Sequence, residues 1–319
     1  MPDTQPLAAA GWRAADIGPK PGRAALPDAA ADELIEAWAA FRPSPLPIAQ
    51  VKPGHFDLPA ATAFMESLRP QLVEGIGFAL IDRLPMDALG EDGARLAHWL
   101  LCSMIERPVA QNWKGALTYD VTDLGRPPGN GVRPDVTNAE QNFHTDNSYN
   151  NCPPNYAALL CLRPAKAGGV SHIVSFEAAY AALSAKRPDL TARLCQPFYF
   201  DRQREHAPGD VITTYHPLFE IEDGRLLSRL SKFQVANGQK LAGEPLDALG
   251  AEALDALEAE MSAPGMDVSF FFEPGQIQIV NNRRIGHRRT GFEDWAEPGK
   301  KRLLVRLWLR DWGRRFYNG

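Results

Sequence analysis

From about residue 110 onward the chain breaks into short segments of alternating apolar and polar residues, each bounded by Gly, Pro or Asn. Side chains on a strand alternate between faces with a period of two, so this patterning restricts the fold more than any other feature of the sequence. Segments 116–122, 141–145, 156–162, 171–176, 211–215, 268–272, 276–281 and 302–310 read as strands. Many short strands with few helices between them predict a barrel or sandwich rather than an alternating βαβ sheet. Helical periodicity is confined to 28–41, 58–71, 90–105, 176–194 and 246–261, with a buried strand expected within 75–85. The expected domain plan is an N-terminal helical arm over residues 1–50 and one β-rich domain over 51–319. A polar, Arg-rich stretch around 201–240 is expected to form a lid-like insert in that domain.

Charge and cysteine usage narrow the partners. The 319 residues carry 34 Lys and Arg against 39 Asp and Glu, a formal net charge of −5. This balance offers no electrostatic case for nucleic acid or an anionic membrane, and small molecules fit better. No stretch approaches the roughly 18–20 apolar residues of a membrane span, and the first residues lack a basic segment followed by an apolar run. A cytoplasmic protein is expected. Cys102, Cys152, Cys161 and Cys195 form no C-x-x-C pair and are expected to be buried free thiols.

Within Asn142-Phe143-His144-Thr145-Asp146-Asn147-Ser148-Tyr149, His144 and Asp146 stand two apart. On an extended segment both side chains point the same way and can share one ion. A neutral nitrogen and a hard oxygen suit iron(II) or another first-row divalent metal, and a second imidazole would complete a two-histidine, one-carboxylate site with open positions. His-x-Asp is a common triplet, so its context has to decide. His55 and His98 lie in the helical N-terminal part, where packing explains His98; His172 lies on a strand, and His206 and His216 lie in the polar insert. His287 closes a strand and turn just before the final strand, an arrangement that can return it to the metal. In that final strand Leu303, Val305, Leu307 and Leu309 share one face, while Arg302, Leu304, Arg306, Trp308 and Arg310 share the other. On an exposed sheet Arg302 and Arg306 would simply be solvated; lining an interior, they would clamp a carboxylate through paired hydrogen bonds.

The His144-Thr145-Asp146 triplet, the Gly168-Gly169-Val170-Ser171 segment, and Asn281 to Phe292 followed by Arg302 and Arg306 together resemble the taurine dioxygenase/TfdA superfamily. The resemblance runs in order from about residue 75 to 312, and extends to γ-butyrobetaine hydroxylase-like members through His144 to Pro154. It implies a mainly β fold with flanking helices, a cupin-like double-stranded β-helix or jelly roll. It also implies an enzyme, an iron(II)- and 2-oxoglutarate-dependent dioxygenase using O2. The reaction would oxidise a substrate C–H bond, releasing succinate and CO2. His144, Asp146 and His287 match the iron ligands and Arg302 matches the arginine that pairs with the distal carboxylate of 2-oxoglutarate. Ser171 stands where the family often has a threonine hydroxyl for that carboxylate, and Val170 replaces the usual acidic neighbour. Arg306 matches a position near the substrate or the inner carboxylate of the cosubstrate. Halogenating members lack the ligating carboxylate, so Asp146 points to hydroxylation or a related oxidation.

Related enzymes act on small acids, and a small polar or anionic substrate is expected. Asn147, Tyr149, Tyr215 and Arg229 are its candidate contacts, with Arg202, Arg204 and His216 as further members of the insert. Two alternatives remain at this level. A zinc-dependent hydrolase would not need Arg302 and Ser171 aimed at a dicarboxylate, and a non-catalytic jelly-roll binding protein would have no use for three intact ligands. No apolar stripe stands out on a predicted exposed helix, which leaves the oligomeric state, a homo-oligomer included, open.

Overall fold

The computed structural model describes residues 11–127, 132 and 134–316, so residues 1–10 of the expected arm and 317–319 lie outside the described residues. Two sheets face each other. The larger has seven strands, in the order Arg23–Ala25, Phe78–Asp82, Ile277–Asn281, Tyr156–Arg163, Leu303–Leu309 and Pro108–Val109, with Tyr119–Val121 also paired to Leu303–Leu309. The smaller has four strands, in the order Asp267–Phe270, Ser171–Ser175, Ile285–Arg289 and Gln141–His144. This sandwich flanked by helices is the double-stranded β-helix.

The outer face of the larger sheet is covered by the helices Asp28–Phe41, Pro59–Val73 and Met86–Ile105, which also pack on one another. Leu303, Val305, Leu307 and Leu309 join Leu34, Leu68, Leu96, Leu100 and Ile279 in one buried cluster. Each such fully buried leucine contributes roughly 1.5–3 kcal/mol of transfer free energy. The first helix is therefore part of the main core. Because this cluster claims the odd-numbered face of Leu303–Leu309, the even-numbered face with Arg306 and Trp308 is left for the space between the sheets.

The structure departs from the sequence reading at Pro188 and at His287, and gives the 201–240 insert its internal detail. The helix expected over 176–194 is two, Phe176–Lys186 and Pro188–Leu194. Pro188 cannot donate to the preceding turn and drives Arg187 out of the helical region, to φ −143° and ψ 76°. The stretch 201–240 is ordered: the strand Thr213–Pro217 pairs back onto Pro197–Asp201, Phe219–Glu222 forms a hairpin with Arg225–Ser228, and the helix Lys232–Ala242 follows. That helix is capped by Ser231, whose hydroxyl accepts from the amide of Gln234, and is closed by left-handed Gly243. Finally, His287 lies inside the strand Ile285–Arg289 rather than in a turn.

Candidate metal and cosubstrate site

His144 ends the edge strand Gln141–His144, and in the antiparallel pairing its direct partner on the neighbouring strand is His287. Asp146, two residues on, completes a group whose ligand atoms all lie within 4.8 Å of one another. The two imidazole Nε2 atoms stand 3.6 Å (His144) and 3.5 Å (His287) from the same carboxylate oxygen, Oδ1 of Asp146. Donors spaced in this way fit around one first-row divalent ion, and two imidazoles with one carboxylate are the donor set that suits iron(II). His144 Nδ1 lies 2.9 Å from the carbonyl of Asn142. A proton on that nitrogen directs the Nε2 lone pair into the site.

The triad is braced from behind. Asn282, in the turn before His287, accepts from the amide of Asp146 at 2.7 Å and donates to its carbonyl at 2.9 Å, so the two ligand segments are tied together. The outer carboxylate oxygen, Oδ2, accepts from the indole N–H of Trp308 at 2.7 Å and lies 3.6 Å from the Arg306 guanidinium. Burial alone would raise the Asp146 carboxyl, but Arg306 and the two imidazoles outweigh it and hold the group well below the usual carboxylate range. Burial, followed by the nearby His144, lowers His287 and keeps its imidazole neutral, as a metal ligand must be.

Two cavities meet at this group. The smaller, about 60 Å³, is lined by Ser171, Gln278, Arg289 and Arg302 together with Leu159 and Phe272. Arg302 is 5% exposed, lies against the Phe292 ring at 5.1 Å, and its Nη1 has no hydrogen-bond partner among the described residues. Burial, with Arg289 nearby, lowers its pKa to about 9. Ser171 donates to Gln278 at 3.0 Å. A buried guanidinium donor without a partner is costly, and a carboxylate entering this cavity would satisfy it. The residues present therefore fit a dicarboxylate lying between Arg302 and the metal group.

The larger cavity, about 290 Å³, approaches the triad from the other side and is lined by Asn142, Asn147, Tyr149, Gln203, Phe233 and Gln234 among others. Asp135, Gln141 and Arg306 line both cavities. Arg306 is fixed by Asp135 at 3.2 Å and by the side-chain oxygen of Gln111 at 2.8 Å. Asn147 adopts φ 55°, a left-handed conformation that asparagine tolerates, and its buried Oδ1 has no hydrogen-bond partner among the described residues.

Of the candidate substrate contacts, Asn147 and Tyr149 line the larger cavity, and Tyr215 and Arg229 do not. Tyr215 is 55% exposed and stacks on Tyr199 at 4.5 Å, its cross-strand neighbour. Arg229 is buried and donates to the carbonyls of Ser148 and Asn150, bracing the loop that follows the metal ligands. From the insert Gln203 and the residues Ser231 to Gln234 reach the cavity, while Arg202 pairs with Asp210 and His216 with Asn151. Asp135, Gln141, Gln278, Asn282 and Trp308 were not singled out by sequence. For Trp308 a signal existed, since it shares the even-numbered face with Arg302 and Arg306.

Known proteins show the same pattern. Residues 40–308 match the family described as taurine catabolism dioxygenase TauD, TfdA family. FR-33289 synthase of Streptomyces rubellomurinus (strain ATCC 31215) is 31% identical over 254 residues, covering 77% of this chain and 73% of that protein. Uridine-5'-phosphate dioxygenase of Amycolatopsis sp is 28% identical over 241 residues, 73% of this chain and 85% of that protein. In fold, the chain is similar to an asparagine oxygenase solved with Fe(II), 2S,3S-3-hydroxyasparagine and succinate, at TM-score 0.70 and 18% identity over 90% of this chain and 93% of that one. It is also similar to the non-heme iron oxygenase OrfP solved with Fe and alpha-ketoglutaric acid, at TM-score 0.65 and 17% identity over 90% and 93%. With the triad and both cavities in place, the chain belongs to the TauD, TfdA family and is a non-haem iron(II)- and 2-oxoglutarate-dependent dioxygenase.

Proposed function

We propose that this enzyme hydroxylates, or otherwise oxidises, a C–H bond of a small polar or anionic molecule seated in the larger cavity. His144, Asp146 and His287 would hold the iron, and Arg302 with Ser171 would receive the distal carboxylate of 2-oxoglutarate. Iron with its chelated oxo acid supplies the oxidising chemistry, by which substrate, O2 and 2-oxoglutarate become oxidised substrate, succinate and CO2. The chain's own part is geometric: Arg302 orients the cosubstrate, Arg306 with Asp135 forms the partition between the cavities, and Phe233 and Trp308 contribute apolar walls.

The observation that carries this reading is the unpartnered, buried Arg302 donor facing a cavity that ends at the metal group. A zinc hydrolase leaves that arginine without a purpose. Polar substrate character is supported by the side-chain amides of Gln141, Asn142, Asn147, Gln203 and Gln234 around the larger cavity. Uridine-5'-phosphate dioxygenase, by its name, and asparagine oxygenase, by its bound product, handle molecules of this kind. The same proposal includes the segment 201–240 acting as a lid, supported by Gln203 and Phe233 at the cavity wall. It also includes a cytoplasmic setting, supported by four free thiols, and no helix among the described residues is long and apolar enough to cross a membrane.

Anaerobic titration with iron(II) and 2-oxoglutarate tests the core of the reading through the visible charge-transfer band of the chelate. Absence of that band, with zinc supporting hydrolysis instead, overturns it. Succinate release screened over small carboxylates, sulfonates, amino acids and nucleotides then identifies the substrate class, and native mass measurement gives the oligomeric state.

A further inference from the structure

We propose that Trp308 is a positioning residue that restricts Asp146 to ligation through a single oxygen. The inference rests on the reading that the triad holds iron(II). The two oxygens of Asp146 are already differentiated: Oδ1 faces both imidazoles at 3.6 and 3.5 Å, whereas Oδ2 accepts the Trp308 N–H at 2.7 Å. An indole N–H is a donor without acceptor capacity or titration in the physiological range, so it can occupy a carboxylate oxygen without competing for the metal. Trp308 is 1% exposed and sits opposite Ala157 on the neighbouring strand, a residue small enough to leave room for the ring. The Arg306 guanidinium lies 4.8 Å from the indole centroid, a cation over the π face that strengthens the N–H as a donor.

The consequence concerns the number of open positions. A carboxylate that swung both oxygens onto the ion would take one position needed by the cosubstrate's two donor atoms or by O2. Holding Oδ2 on Trp308 keeps Asp146 to one. Arg306 does not substitute, because at 3.6 Å it is beyond a good hydrogen bond and is shared with Asp135.

The test compares Trp308→Phe, which keeps an aromatic ring and loses the donor, with Trp308→Gln, which restores an N–H, and with Leu307→Ala on the opposite face of the same strand. Metal-free protein is titrated anaerobically with Fe(II), and the Co(II)-substituted protein is examined by its ligand-field absorption. Circular dichroism and Tm verify the fold. The expected result is roughly 10- to 100-fold weaker Fe(II) binding in Trp308→Phe with a changed Co(II) spectrum, partial recovery in Trp308→Gln, and near wild-type affinity in Leu307→Ala despite a lower Tm. Folded Trp308→Phe that binds Fe(II) within twofold of wild type overturns the role. Equal weakening in Trp308→Phe and Leu307→Ala also overturns it, since the site would then be responding to general loosening. Wild-type protein that binds no Fe(II) would instead remove the metal-site reading itself, and the Trp308 role with it.

Discussion

Replacing Arg302 with methionine separates function from stability, because the two effects have opposite signs. The Arg302 guanidinium is buried, its Nη1 has no partner among the described residues, and burial lowers its pKa to about 9. Truncating one partner of a buried, charge-assisted pair costs about 2–5 kcal/mol, so 2-oxoglutarate should bind roughly 30- to 4,000-fold more weakly. The free protein should not suffer in parallel. Removing an unsatisfied buried donor relieves about 1–3 kcal/mol, against a loss of roughly 0.5–1 kcal/mol from the contact with Phe292. The backbone contacts of residue 302, from its amide to Asp294 and from Thr122 to its carbonyl, are untouched by the change. Tm should therefore stay constant or rise by a few degrees. The assay is anaerobic titration of the iron(II) protein with 2-oxoglutarate, alongside thermal unfolding of the metal-free protein. An affinity within threefold of wild type, or a variant that loses several degrees of Tm, would show that Arg302 anchors the fold rather than the cosubstrate.

Three further perturbations test neighbouring parts of the argument. Asn282→Ala removes three buried bonds, two to Asp146 and one to the carbonyl of Pro154, and should cost about 2–4 kcal/mol in chemical denaturation with about tenfold weaker iron(II) binding. Gly238→Ala would press a methyl into the carbonyl of Tyr199, forcing the helix Lys232–Ala242 off the strand Pro197–Asp201. Its Tm should fall by several degrees while the iron(II)–2-oxoglutarate band keeps its affinity; a weakened band would show that the insert also supports the metal group. Burial, offset only in part by the Asn155 amide, raises Glu106 from 4.5 to about 7. Between those values the folded state holds a proton that the unfolded state has lost, so stability should fall as pH climbs from about 4.5 to 7 and then level off. After discounting for partial exposure the loss is roughly 1–2 kcal/mol, and Glu106→Gln should flatten the difference between urea denaturation at pH 5 and pH 8.

The strand pattern made the sandwich legible because the period of most of its longer strands survives in the sequence. The odd-numbered leucines of Leu303–Leu309 do join the helix-facing core, and that alone dictates where Arg302 and Arg306 go. The metal group was readable for a similar reason, since His144 and Asp146 share a side by spacing and His287 closes the preceding strand and turn. The insert was harder. Polar residues reveal no direction by type: of the candidate contacts, Tyr215 is turned outward against Tyr199 and Arg229 donates to two backbone carbonyls. Asp135 lies in a single 3-10 turn, Pro134–Val136, too short for a periodicity to orient it. Other signals were present but unused: Asp223 and Gly224, at φ 50° and 73°, form the Asp-Gly turn typical of a two-residue hairpin between two alternating segments.

The pairing of His144 with His287 has a mechanical side as well. Gln141–His144 is the outermost strand of the four-stranded sheet, held to Ile285–Arg289 by a short register that shifts between His287 and Arg289. An ion held by one residue from each strand would tie that border together beside the register shift. Iron depletion is therefore expected to loosen that margin, so the catalytic site and the closure of the sheet edge depend on the same ion.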